Sequence, residues 1–84
     1  MNFSFLKFQD HDYIQGATHA LHSFENGWSI SVVAGPVDSG LYGVIGEDTF
    51  EVAIMRPNGN MLDDVLRWQT PVQISTIMRV ICMM

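Results

Sequence analysis

The sequence predicts an α+β domain, in which an antiparallel β-meander of three to five strands carries one C-terminal helix packed on a face. Three features predict this. Residues 70–84 have the spacing of an amphipathic helix, residues 25–27 form a hairpin signal between two apolar stretches, and apolar residues alternate through residues 50–55. A sheet with one buried face and a helix with one apolar stripe cover each other. We therefore expect residues 1–84 to form a single domain.

The N-terminal segment predicts a first strand, because residues 2–8 alternate loosely between apolar and polar side chains. Its phase is ambiguous, since apolar side chains fall on both faces of such a strand. Residues 9–16 are polar and are expected to form a connection.

A hairpin is predicted for residues 18–24 and 28–34, because the Asn-Gly pair between them tolerates positive φ. Two registers of this hairpin are compatible with the sequence. A two-residue turn would pair Glu25 with Trp28. A three-residue loop ending in a left-handed Gly27 would instead pair Phe24 with Trp28.

The three-residue loop is the favoured register because it buries more apolar area. It also pairs His22 with Ile30 and leaves three serines on the outer face. The residues that it collects on one face are Ala20, Phe24, Trp28, Ile30 and Val32.

The middle of the chain is the most irregular part, since residues 35–49 contain four of the seven glycines. A short strand is predicted within this segment, at residues 41–45. Residues 50–55 form a half-buried strand, and the Pro-Asn-Gly-Asn sequence at residues 57–60 predicts a tight turn. Residues 61–62 are expected to return briefly as a strand edge, before a turn or short helix at residues 63–68.

The C-terminal helix has clear start signals. Thr70 suits the N-cap, Pro71 suits the first helical position, and Gln73 completes a capping box. One buried stripe follows, and it predicts that Cys82 is a small buried side chain instead of a nucleophile. The stripe consists of Ile74, Ile77, Met78, Ile81 and Cys82.

The last turn of this helix is apolar nearly all round, because Val80, Met83 and Met84 lie off the stripe. An exposed apolar chain end of this kind is usually covered by the N-terminal strand or by another subunit. A homodimer, or a tight complex with a partner, is therefore one expectation.

Charge and composition exclude several classes of function. Nine acids and four bases give a net charge of -5, and the bases are scattered, so direct nucleic-acid binding is not expected. The acidic surface fits either solubility or a basic protein partner. No apolar stretch reaches the roughly 18 residues of a membrane span. The single cysteine fits a reducing compartment, and a cytoplasmic location in the host cell is expected.

Catalytic patterns are weak, and we expect neither an enzyme nor a cofactor. His19 and His22 would point to opposite faces of a strand, so they cannot chelate a metal together. A small metal-dependent enzyme using these residues or His11 is the least favoured hypothesis. Ser23 lacks a triad partner on its own face, and the adjacent acid pairs resemble solvated turn residues.

Partner contacts are expected in the glycine-rich segment and around the tryptophan that precedes the helix. Loops with tight turns often bind partners, and tryptophan is enriched in interface hot spots. The alternative is that Trp68 closes one end of the core. The predicted partner-binding residues are Asp38, Tyr42, Glu47, Asp48, Asp63, Asp64 and Trp68.

Several of these segments together resemble a group of small bacteriophage and prophage proteins. The resemblance lies in the Phe-Glu-Asn-Gly-Trp hairpin at residues 24–28, the Gly-Leu-Tyr segment at residues 40–42, Asn58-Gly59, and the Thr-Pro pair that opens the helix. It covers about residues 20–81. This sequence departs from the group by an insertion at residues 43–48.

The resemblance implies a phage accessory protein that acts as a stoichiometric inhibitor of a bacterial defence or host complex, as anti-CRISPR proteins do. It carries over no catalytic residue. The partner would be a host protein or nucleoprotein complex, contacted in the weaker form of this hypothesis by mimicry of nucleic-acid phosphates. The alternative is a structural or assembly protein that works as a homodimer or as a subunit of a larger complex.

Overall fold

A five-stranded antiparallel sheet and one helix make up the fold of the computed structural model, which describes all 84 residues. The predicted α+β class with a meander is confirmed, because the strands lie side by side in sequence order, β1-β2-β3-β4-β5. The elements are β1 (Gln9–Asp10), β2 (Thr18–Ser23), β3 (Ser29–Ala34), β4 (Phe50–Met55), β5 (Leu66–Gln69) and α1 (Pro71–Cys82).

The β2–β3 hairpin has the favoured register. His22 lies opposite Ile30, and the Phe24 N–H donates to the Trp28 carbonyl at 2.8 Å. Gly27 has a φ of 90°, which closes the three-residue loop without a Cβ penalty. The apolar residues of this face are buried, and Trp28 packs at their margin.

Helix α1 packs its stripe across the sheet, as predicted. The Thr70 hydroxyl accepts from the Gln73 N–H at 3.3 Å, and the Gln73 side chain accepts from the Thr70 N–H at 2.8 Å. This reciprocal pair is the expected capping box. The buried core that results contains Leu6, Ala20, Phe24, Ile30, Val32, Val52, Ile74, Met78 and Ile81.

Cys82 is exposed, so its predicted burial is wrong. It lies about 80° around the helix axis from Ile74, beyond the centre of the stripe, and it is the last helical residue. No helix of the chain is long and apolar enough to span a bilayer.

The predicted N-terminal strand is also wrong, because Phe3–Phe5 form one turn of 3₁₀-helix. The Asn2 side chain caps this turn by accepting from the Ser4 N–H at 2.9 Å. The Phe3 N–H donates to the Ser75 hydroxyl of α1 at 2.9 Å. The N-terminal segment contacts both the helix and the sheet, which explains why it has apolar side chains on both of its sides. The polar connection begins with β1, whose two residues pair with β2.

The second half of the chain contains two further differences. Residues 41–45 form only one bridge, from Val44 to Gly35, and not a strand. Met61 does return to the edge of the sheet, as predicted, through a single bridge to Met55. Of the predicted turn or short helix at residues 63–68, only a bend at residues 63–64 is present, because β5 begins at Leu66 and pairs with β4.

Candidate interaction site

A β-bulge interrupts the pairing of β5 with β4. Gln69 lies opposite Phe50 and Leu66 lies opposite Val52, so two residues of β5 face one residue of β4. The two residues are Arg67 and Trp68. Bulges occur often at sheet edges and next to functional sites, where they redirect side chains. This bulge lies on the terminal strand of the sheet.

Trp68 adopts the left-handed backbone conformation, with a φ of 55°. This region is unfavourable for a bulky L-residue, and it costs on the order of 1–2 kcal/mol relative to ordinary strand geometry. Such strain persists only where surrounding contacts impose it.

The glycine-rich segment supplies those contacts. The Trp68 N–H, displaced from the regular strand ladder, donates to the Tyr42 carbonyl at 2.8 Å. The Tyr42 N–H in turn donates to Oε1 of Glu51 at 3.2 Å. Gly43 makes this close approach possible, since a Cβ there would lie 2.7 Å from the Glu51 nitrogen. The bulge and residues 35–49 therefore form one structural unit, joined by these hydrogen bonds.

Three side chains meet on this unit, and we refer to Tyr42, Arg67 and Trp68 as the aromatic–arginine cluster. The Arg67 guanidinium carbon lies 4.3 Å from the centre of the Tyr42 ring, which is cation–π geometry. The Trp68 and Tyr42 rings are 5.9 Å apart at 81°, an edge-to-face arrangement. Arg67 also approaches Asp64, with 3.8 Å between Nη2 and Oδ2.

The cluster is open to solvent, because 50% of Trp68 and 37% of Tyr42 are exposed. The alternative that Trp68 closes the core is therefore wrong. The structure brings together three of the predicted contact residues, Tyr42, Trp68 and, through Arg67, Asp64. Sequence reasoning missed Arg67, because its contact with the Tyr42 ring is set by the tertiary structure and leaves no local signal.

The other four predicted contact residues do not join the cluster. Asp38, Glu47, Asp48 and Asp63 are exposed, and no hydrogen bond or ion pair connects their side chains with it. Three of them occupy left-handed turn positions, with φ values of 66°, 53° and 54° for Asp38, Asp48 and Asp63. Aspartate tolerates this conformation better than most residues, so turn geometry accounts for their type.

The three histidines lie on β2 or directly after β1. His19 and His22 belong to β2, and the His11 ring lies 6.2 Å from that of His19. Nδ1 of His11 accepts from the N–H groups of Tyr13 and Ile14, each at 3.1 Å, and so organises the turn after β1. No group of three or more His, Cys, Asp or Glu side chains has an arrangement that could hold a metal ion.

No protein-family model, curated protein or solved structure matches this chain. What the site can do therefore follows from its own chemistry. The aromatic–arginine cluster offers an exposed indole, a phenol ring and a guanidinium, which bind by apolar burial, hydrogen bonding and cation–π contact. These are the three residue types most enriched among the energetic anchors of protein interfaces and CDR-type binding surfaces.

Proposed function

We propose that this protein is a small phage-encoded accessory protein that binds a bacterial defence or host complex stoichiometrically and inhibits it without catalysis, as anti-CRISPR proteins do. Its binding anchor is the aromatic–arginine cluster, and its site of action is the host cytoplasm. The partner is a host protein or a nucleoprotein complex contacted through protein. The observation that carries the proposal is the strained, half-exposed Trp68 on the edge-strand bulge.

Strain and exposure at one residue support a binding role. A tryptophan that served the core would be buried, and a residue that served only the turn would be Gly, Asn or Asp. Trp68 meets neither description. It is half exposed, and it is a bulky residue at a position with a φ of 55°. The cation–π contact with Tyr42 and the ion pair with Asp64 hold Arg67 in place beside it, which reduces the side-chain entropy lost on binding.

The test is affinity capture from bacterial lysate with the tagged protein and two variants. Trp68→Asn removes the indole and keeps a residue that tolerates the left-handed backbone. Tyr13→Ala is the matched control, since Tyr13 is 91% exposed and lies beyond β1 at the opposite edge of the sheet. We expect one partner in equimolar amount with the wild type and Tyr13→Ala, and at least a tenfold loss with Trp68→Asn, as is typical of a hot-spot tryptophan.

The captured complex should then be assayed with increasing amounts of the protein. Inhibition that is complete at one equivalent supports the proposal, whereas turnover of the target by substoichiometric protein would replace it with an enzymatic activity. Repeating the capture at low and high salt separates two binding modes. Persistence at high salt indicates apolar anchors, and steep loss indicates mimicry of nucleic-acid phosphates.

A second candidate function is a structural or assembly role as a homodimer. The outer side of α1 favours it, because Val72, Val80 and Met83 are 77%, 51% and 80% exposed. A dimer that covered this side would have a melting temperature that rises with protein concentration. A constant melting temperature, together with a monomer mass in light scattering, would remove this candidate.

A further inference from the structure

The molecule also has a concave site whose lining contains none of the three residues of the aromatic–arginine cluster. It is a pocket of about 310 Å³ where the N-terminal turn, β4 and residues 44–48 meet. Known ligand pockets span about 300–1,000 Å³, so this volume suits a small head group or one side chain. We call it the phenylalanine pocket, and its lining includes Phe3, Phe8, Phe50, Thr18, Ile45 and Asp48.

Three phenylalanine rings form its apolar wall. The centroid separations are 5.7 Å for Phe3 and Phe8, 5.1 Å for Phe3 and Phe50, and 5.6 Å for Phe8 and Phe50. The rings are tilted by 34 to 53° and are not stacked flat, so they do not cover one another's faces completely. All three remain only partly buried although they pack against the core. The face of an aromatic ring carries a negative quadrupole potential, which attracts cations.

Asp48 is the one charged side chain that lines the pocket. It is held at the rim by a well-defined turn, in which the Glu47 N–H donates to the Val44 carbonyl at 3.1 Å and the Val44 N–H donates to the Thr49 hydroxyl at 3.0 Å. Asp48 makes no ion pair, since the one ion pair of the chain joins Arg67 to Asp64. Its carboxylate is therefore free to meet a positive group.

We propose that the phenylalanine pocket binds a small organic cation, an alkylated ammonium group, between its aromatic wall and the Asp48 carboxylate. An apolar wall with one carboxylate matches a ligand that has an apolar skin and a positive charge. A neutral ligand would gain nothing from the carboxylate, and an anion would be repelled by it. The net charge of -5 also attracts cations to the protein.

Choline and its uncharged carbon isostere 3,3-dimethylbutan-1-ol are the probes that test this site. They have the same shape, so a difference between them reports the charge alone. In NMR titrations of the full chain, choline should shift the ring resonances of the three phenylalanines and bind about fivefold or more tightly than the isostere. Equal binding of both probes would show a merely apolar depression and would overturn the proposal, as would absence of binding.

Two aspartates of the same segment provide a variant and its matched control. Asp48→Asn removes the charge at the rim, and Asp38→Asn makes the same change at a second left-handed turn position outside the pocket. Asparagine tolerates this backbone conformation, so both variants should fold. We expect a three- to tenfold loss of choline affinity for Asp48→Asn and no change for Asp38→Asn. Equal losses of choline affinity in the two variants would mean that choline responds only to the overall charge of the protein, and they would contradict the proposed site.

The pocket can be separated from the proposed inhibitor function in the same preparations. Trp68→Asn should bind choline as the wild type does, because Trp68 does not line the pocket. Loss of choline binding in Trp68→Asn would indicate that the two sites are one and would contradict the assignment of an independent cation site.

Discussion

Trp68 combines a backbone conformation that is unfavourable for a bulky residue with a side chain that packs on a neighbouring ring. Its φ of 55° favours Gly or Asn, while its ring packs edge-to-face on Tyr42. We expect Trp68→Asn to be more stable than Trp68→Val by about 1–2 kcal/mol, because a β-branched residue tolerates the left-handed region worst. Both variants lose the indole, so the difference in urea unfolding free energy reports the backbone. Equal stabilities would show that the bulge relaxes and that Trp68 stores no strain.

His11 is a second residue whose role depends on one atom. Its Nδ1 accepts the two N–H groups that shape the turn after β1. His11→Phe keeps the ring and removes the acceptor, so it should lower the free energy of unfolding by about 0.5–1.5 kcal/mol. His11→Asn should retain most of the stability, because an asparagine side chain accepts from the same local N–H groups. Amide exchange at Tyr13 and Ile14 should accelerate only in the phenylalanine variant, and acceleration in both would assign another role to the imidazole.

Residue type and loop context identify part of the candidate interaction site. Tyr42 is identifiable as a contact group of the glycine-rich loop, and Trp68 because tryptophan is enriched in interface hot spots. The neighbouring aspartates were selected for their charge, but three of them serve left-handed turns. Arg67 was missed because its function depends on the ring beneath it, 25 residues earlier in the chain. Pairings of this kind are set by tertiary structure and leave no local pattern.

Elements with local signals were predictable, and elements held by distant contacts were not. The β2–β3 hairpin follows from Gly27 and an alternating pattern, and α1 follows from its capping box and apolar stripe. The short strand β5 has no alternation, because the bulge interrupts its period of two. The N-terminal turn depends on a hydrogen bond to Ser75, 72 residues away. A strand signal there was wrong because the apolar residues contact two different elements.

Docking of residues 35–49 on β4 depends on Gly43. An added Cβ would collide with the backbone of Phe50 and Glu51, which cannot move without disturbing the strand. We expect Gly43→Ala to lower the free energy of unfolding by about 1–3 kcal/mol and to change the near-UV circular dichroism of Tyr42 and Trp68. Val37→Ala is the control in the same segment, since Val37 is exposed and should have almost no effect. An unchanged aromatic signal in Gly43→Ala would mean that the cluster is held without this contact.

The whole molecule is small enough that its stability depends on very few fully buried side chains. A domain of this size buries only about 60–65% of the surface of its unfolded chain, and natural domains are stable by about 5–15 kcal/mol. The largest fully buried side chains come from β3, β4 and α1. Helix and sheet therefore stabilise each other, and neither is expected to persist alone.

Two methionines of the same chain end test how this stability is distributed. Met78 is completely buried in the core, whereas Met83 is 80% exposed one residue beyond α1. Met78→Ala should lower the free energy of unfolding by about 2–5 kcal/mol, enough to unfold a marginal domain, because it leaves a cavity between helix and sheet. Met83→Ala should change it by less than about 0.5 kcal/mol in the monomer. If Met83→Ala instead destabilises the protein, and does so more strongly at higher protein concentration, a second copy covers the end of α1 in solution. A concentration-independent result with the predicted order of the two variants would leave the core as the source of stability, and the exposed end of α1 would then be free for another partner.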